Sequence, residues 1–200
     1  MAAFHETGVV PRMQLLETGV LLVEKVIGSG LTAPYLSKPS HHAAIGHSLR
    51  RLHTAAPFAG AQTLVEHIAE RHVTITATRR LSMRLRKVAD EAFAVVYNDR
   101  SPAALLHGDL HPANVFLSGD GATFIDPYGL AGDPAYDVSF IAAYDATSPW
   151  AALENIRRNY DRDLGAAEYW LRWILIYRLD NALRNGLEIA RHFQNMSQKL

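Results

Sequence analysis

Asp109, Asn114 and Asp126 are the residues whose types and spacing can do chemistry together. They sit in one stretch: Leu-Leu-His-Gly-Asp-Leu-His-Pro-Ala-Asn-Val-Phe-Leu from 105, a Ser-Gly-Asp-Gly turn from 118, then Ala-Thr-Phe-Ile-Asp ending at 126. The set suits phosphoryl transfer on magnesium ions, which needs positioning, charge neutralisation and an acceptor for an alcohol's proton rather than covalent help. Asp109, on a loop ahead of a strand, is the candidate catalytic base. Asn114 and Asp126 are the candidate metal residues, because a carboxamide oxygen and a carboxylate are hard donors suited to Mg²⁺. A hairpin turning at 118–121 would return Asp126 to the side of Asn114. Each residue alone reads as a turn former or strand end. A base and two metal-ligand types converging in one hairpin favour the functional reading.

His107 is expected to orient this loop through hydrogen bonds rather than to react, and His111 either does the same or meets substrate. The run His107-x-Asp109-x-His111 also admits a zinc hydrolase, since imidazole and carboxylate suit zinc. That site would need further ligands. His41, His42, His47, His53, His67 and His72 are available, but they fall mostly in helical patterns without a second cluster.

The elements that must position these groups can be read from periodicity. Val9–Leu16 and Val20–Ile27 are short apolar runs around Glu17-Thr18-Gly19, the pattern of two antiparallel strands, and Gly28-Ser29-Gly30 reads as a turn. Ile45, Leu49, Leu52 and His53 recur at helical steps, and Pro57 closes that helix. Leu64–Tyr97 is helical, with an interruption expected between Thr74 and Thr78. A Gly/Pro-rich stretch at 127–134 follows the hairpin, and helical patterns cover 135–145, 149–161 and 166 to the C-terminus. The expected class is α+β: one mainly helical unit with a short N-terminal strand pair and a catalytic β-hairpin.

Composition narrows the function classes. In 200 residues, 20 Lys plus Arg balance 20 Asp plus Glu, which gives no support to nucleic-acid binding. There is no cysteine, so disulfides and thiolate metal sites are excluded. The N-terminus shows no secretory signal, and no apolar stretch approaches the roughly 20 residues of a membrane span. A cytoplasmic protein without a membrane partner is expected.

The phrase His-Gly-Asp-Leu-His-Pro-Ala-Asn-Val at 107–115 resembles the catalytic loop of the aminoglycoside phosphotransferase family, which shares the protein-kinase-like fold. Ile125-Asp126-Pro127 with Gly132-Asp133-Pro134-Ala135-Tyr136-Asp137 resembles its streptomycin and hydroxyurea kinase branch, as does the Gly-x-x-Leu-Arg-Arg-Leu-His pattern ending at His53. The likeness extends over about residues 8–190 and is most specific at 107–137. It implies transfer of the γ-phosphoryl of ATP to a hydroxyl of a small molecule such as an aminoglycoside or hydroxyurea-like antibiotic. It also implies Asp109 as base, Asn114 and Asp126 on Mg²⁺, and the backbone of Glu24, Lys25 and Val26 as a hinge against adenine. Asp137 would be the family's structural Asp, or a carboxylate facing its own helix dipole.

Two departures qualify that picture. Tyr128 stands where this branch suggests Lys or a small residue. Nineteen residues precede Val20, too few for the Gly-rich strands, phosphate-binding Lys and partner Glu expected before a hinge. Lys25 and Lys38 read as surface residues, and Phe4-His5-Glu6-Thr7 as the tail of a helix. The expected division is 1–30 as a remnant of the N-terminal lobe and hinge, and 31–200 as a kinase-like C-terminal lobe. The alternatives are a truncated, weakly active or inactive protein that only binds nucleotide or ligand, and a longer chain starting upstream of Met1. Trp170, Trp173 and Tyr177 form a helical stripe that reads as core rather than substrate platform. Asp180, one turn on, reads as a solvated face before it reads as an acid for a cationic substrate. Arg157, Arg158 and Arg162 read as surface.

Overall fold

The computed structural model describes residues 2–18, 20–31, 36–99, 102–119, 121–188, 190–198 and 200. In chain order the elements are α1 (Ala2–His5), β1 (Met13–Glu17), β2 (Val20–Val23), β3 (Ser29–Gly30), α2 (Pro39–Leu52), α3 (Leu64–Ala77), α4 (Met83–Asn98), β4 (Ala104–Leu106), a 3-10 turn (Pro112–Asn114), β5 (Val115–Ser118), β6 (Gly121–Phe124), β7 (Leu130–Gly132), α5 (Ala135–Ala142), α6 (Pro149–Tyr160), α7 (Ala167–Arg184) and α8 (Ala190–Ser197). The class is the expected α+β, mainly helical, with small sheets.

Several helices begin at signals written in the sequence. Thr63 and Glu66 form a reciprocal capping box at the start of α3, which satisfies two amides that no helical carbonyl can reach. Ser82 accepts from Leu85 N at α4, and Ser148 from Ala151 N at α6, where Pro149 is pre-set for the first helical turn. Ile45, Leu49 and Leu52 on α2 are buried in the same core as Trp170 and Trp173 on α7. Helix α2 crosses α6 closely at Gly46, where a Cβ would lie 2.6 Å from the Ile156 carbonyl oxygen. All eight residues of α5 are buried, and the helix packs against α6 and α7 as a central rod of the core.

Among the described residues the strands form three small antiparallel sheets: β1 with β2, β3–β5–β6, and β4 with β7. The predicted N-terminal strands are longer than those formed. Val9 and Val10 are core residues ahead of β1, and the Val9 carbonyl accepts from Phe124 N, which ties the front of the chain to the hairpin. Gly28-Ser29-Gly30 is more than a turn. Ser29 and Gly30 pair with Leu117 and Phe116, and a side chain at Gly28 would stand 2.6 Å from the Leu117 carbonyl. Two residues are too few to show alternation, so this strand has no periodic signature. The Gly/Pro-rich stretch conceals β7 for the same reason.

The helical run from 64 breaks at 78–82, at the edge of the expected window, and the last pattern breaks at Asn185–Gly186, where Gly186 takes φ +61°. Among the described residues no helix is long and apolar enough to cross a membrane.

Candidate active site

Strand β4 delivers the chain into the loop at 107 while its partner β7 receives it after 129, so the ends of two loops start side by side. Three hydrogen bonds then lace those loops together. His107 Nε2 meets the Ile125 carbonyl at 2.8 Å, Tyr128 N donates to the His107 carbonyl at 2.7 Å, and Ile125 N donates to the Asn114 carbonyl at 3.0 Å. Asp126 follows Ile125 directly, so the lacing sets it beside the Asn114 segment. Gly108 takes φ +85°, with Leu130 and Tyr128 side-chain atoms only 3.0 Å from where a Cβ would be. A residue with a side chain would be strained and crowded there.

Asp137, on α5, holds the loop from below. Its carboxylate accepts from His107 N at 2.7 Å, Gly108 N at 3.0 Å and His53 Nε2 at 3.0 Å, and His53 Nδ1 meets the Tyr160 hydroxyl at 3.0 Å. The Asp137 and His53 side chains are both fully buried. Burial alone would raise the Asp137 pKa, but the His53 hydrogen bond and the other donors outweigh it and hold the carboxyl below its ordinary value. His107 is buried too, and burial lowers its pKa despite the opposing charge of Asp137. A neutral His107 fits its partners: Nε2–H donates to Ile125, and Nδ1 accepts from Asp109 N at 3.3 Å. His107 thus orients the loop, as its sequence suggests, and Asp137 caps the loop's amides.

The opposite face of the loop is built from groups left uncommitted. The Asp109 carbonyl accepts from His111 N at 2.9 Å and from Asn114 Nδ2 at 3.0 Å. Engaging the amide nitrogen of Asn114 leaves its side-chain oxygen as the end available to a cation. The Asp109 carboxylate is about one third exposed and lies 3.7 Å from His111 Nε2. Asp126 is exposed in the left-handed region at φ 57°. It makes no ion pair or hydrogen bond among the described residues. These oxygen donors fit Mg²⁺.

The zinc alternative finds no support in the same histidines. His42 pairs with Asp145 at 3.3 Å, His53 with Asp137 and His72 with Asp90, in three separate places. Among the described residues no group of three or more His, Asp or Glu side chains is arranged to hold a metal ion.

Glu24, Lys25 and Val26 run on from β2 as irregular chain. Glu24 N donates to the Arg12 carbonyl and its carboxylate accepts from Arg12 N, which extends the β1–β2 pairing by one residue. Lys25 is exposed and Val26 half-buried. Trp170 and Trp173 are core, as their spacing suggests, and Tyr177 stacks on Trp173. Asp180 corrects both readings of it. It is buried and bound by Arg184 at 2.6 Å and Arg80 at 3.3 Å, so it is neither a solvated face nor a spare acid. The sequence does not expose the roles of His53 and Tyr160, which lie 84 and 23 residues from Asp137. For His53 the sequence offers its place at the end of the Gly-x-x-Leu-Arg-Arg-Leu-His pattern, and for Tyr160 nothing.

With this geometry in view, comparison with known proteins is informative. Residues 3–174 match the model of the phosphotransferase enzyme family (APH). No curated protein sequence matches the chain. Among solved structures it is similar to a choline/ethanolamine kinase family protein from Mesorhizobium loti, with TM-score 0.74 and 14% identity over 98% of this chain and 74% of that one. It is also similar to the macrolide 2'-phosphotransferase MphH from Brachybacterium faecium, with TM-score 0.67 and 17% identity over 98% and 74%. A third is the aminoglycoside phosphotransferase APH(3'')-Id from Streptomyces rimosus, in complex with ADP and streptomycin, with TM-score 0.57 and 18% identity over 86% and 77%. At these identities the likeness establishes the kinase-like fold.

Proposed function

Because the chain belongs to the phosphotransferase enzyme family, we propose that it moves the γ-phosphoryl group of ATP to a hydroxyl of a small molecule. The acceptor oxygen would form a bond to the γ-phosphorus while the bond from that phosphorus to the departing ADP breaks. Asp109 would take the hydroxyl proton. Asn114 and Asp126 would hold Mg²⁺, which supplies neutralisation of the phosphate charge. ATP as the donor draws support from the aminoglycoside phosphotransferase neighbour solved in complex with ADP and streptomycin. The backbone of Lys25 and Val26 would serve adenine, since the Glu24 amide is already taken by Arg12.

The observation that carries this reading is the lacing of His107 to Ile125 and Tyr128, and of Asn114 to Ile125. It brings together the chain segments that bear Asp109, Asn114 and Asp126, which supports a reading in which Asp109 accepts the proton and Asn114 and Asp126 offer oxygens to the cation. The sequence resemblance suggests an aminoglycoside or hydroxyurea acceptor. The small molecules named with the structural neighbours range from choline and ethanolamine to macrolides and streptomycin.

A second reading, binding of nucleotide or ligand without transfer, is favoured by one observation. None of β1, β2 and β3 carries a lysine to grip phosphates, and Lys25 and Lys38 flank these strands. The test is transfer of label from γ-labelled ATP to a broad panel of alcohols with Mg²⁺. We expect a labelled acceptor with the wild type and none with Asp109→Asn. Nucleotide binding with no labelled acceptor would favour the second reading.

A further inference from the structure

His111 stands between the two halves of the proposed machinery. Its backbone N–H donates to the Asp109 carbonyl at 2.9 Å, and its carbonyl accepts from Asn114 N at 2.9 Å. The proposed base is thus on one side of it and a proposed cation residue on the other. Its imidazole is about one third exposed, and Nε2 lies 3.7 Å from Asp109 Oδ2. That gap is longer than a hydrogen bond, so the carboxylate does not satisfy a proton on this nitrogen. The ring is backed by Tyr144, at 6.5 Å between ring centroids. Arg178 lies over Tyr144, 3.8 Å from its ring centroid, and hydrogen-bonds its side chain.

A phosphoryl group in transfer spreads negative charge over its equatorial oxygens, and fixed donors aimed at that charge lower the barrier. This chain is short of such donors around the loop. From residue 101 to residue 156 the sequence holds no lysine or arginine. Strands β1, β2 and β3 hold none either. His107 is buried with both ring nitrogens engaged, and the Asn114 amide nitrogen is spent on the Asp109 carbonyl. Of the side chains from 107 to 114, His111 alone keeps an N–H donor uncommitted. Donation to the acceptor hydroxyl would occupy a lone pair that has to attack phosphorus. A phosphoryl oxygen is therefore the productive target.

Resting on the phosphotransferase reading, we propose that His111 is a further catalytic residue, whose neutral imidazole donates its Nε2–H to an oxygen of the γ-phosphoryl group in transfer. His111 gives up no proton. The acceptor oxygen bonds to phosphorus, the bond from phosphorus to ADP breaks, and the hydroxyl proton passes to Asp109. Tyr144 and Arg178 act through His111 as positioning residues that hold its ring in place.

The test is calorimetric titration of MgADP, alone and with aluminium fluoride, a planar mimic of the phosphoryl group in transfer. The wild type should bind MgADP about tenfold or more tighter with the fluoride, since fixed donors favour the transition-state charge. His111→Ala and His111→Phe should each keep the affinity for MgADP alone and lose that gain. His111→Gln, whose amide supplies an N–H, should retain part of it. His111→Phe keeps a ring against Tyr144, so a role confined to packing would leave its gain intact. The thermal midpoint reports folding, and the Phe and Gln variants keep the test open if His111→Ala does not fold. A full gain in His111→Phe, a loss in His111→Gln equal to that in His111→Phe, or a wild type that binds MgADP without any fluoride gain would overturn the proposal. A wild type that does not bind MgADP would overturn the phosphotransferase reading instead.

Discussion

On its buried side the loop from His107 to Asn114 is held by Asp137, His53, Tyr160 and the Ile125 carbonyl, with Asp137 and His53 fully buried. On its open side Asp109, His111 and Asp126 keep contact with solvent, and Asn114 keeps a side-chain oxygen unengaged. Both sides are rich in the same chemistry: carboxylates, imidazoles and amides. They differ in satisfaction. Below, donors and acceptors are matched and the loop has one shape. Above, Asp126 makes no ion pair or hydrogen bond among the described residues, and the Asp109 carboxylate meets only His111, at 3.7 Å. If the proposed roles hold, the lower face governs stability and the upper face turnover, and substitutions should separate the two.

The largest effect is expected at Asp109. Asp109→Asn should lower transfer by roughly 10²–10⁴-fold, the range for loss of a positioned base. Its unfolding free energy should move by no more than about 0.5 kcal/mol, as for an exposed site away from packing. A turnover near that of the wild type would remove Asp109 from the role of base.

Asp137→Ala inverts that pattern. It strands two backbone amides and His53 in a buried site, and denaturant unfolding should show a loss of about 3–5 kcal/mol. Finding Asp137→Ala as stable as the wild type would mean that the lower face does not hold the loop.

The pH response is smaller and sharpens the same contrast. Asp137 has a folded pKa below its ordinary 3.8, so its contribution is present above that value and disappears as pH falls through the folded one. His107 and the half-buried His67 and His72 are lowered from 6.5, each first of all by burial. Below 6.5 the unfolded chain binds protons that the folded chain does not, so stability falls with pH from there. Urea midpoints should decline between pH 7 and pH 5 and again below pH 4. A midpoint that is flat or rising as pH drops from 7 to 5 would contradict this.

The segments of the proposed site could be picked out in the sequence because they are close together in the chain. Asp109, Asn114 and Asp126 span 18 residues, and a Ser-Gly-Asp-Gly turn announces the fold-back that brings them together. The lower face was legible only in part. Asp137 falls in the same block, but its partners His53 and Tyr160 come from the ends of α2 and α6, and tertiary packing alone makes them neighbours. The long helices declared themselves through caps and periodicity, as at Thr63–Glu66. The two- and three-residue strands β3 and β7 did not, because their pairing depends on partners elsewhere in the chain. Asp180 misled for a related reason: Arg80, 100 residues away, decides its environment.

The central claim is that Asn114 and Asp126 share a divalent cation with a bound nucleotide above the laced loop. Calorimetric titration of ADP with and without Mg²⁺, in the wild type and in Asp126→Ala, tests it directly. Binding should be tighter with Mg²⁺ in the wild type, and that gain should vanish in Asp126→Ala while the variant keeps the wild-type thermal midpoint. A magnesium gain of equal size in both proteins would contradict the account.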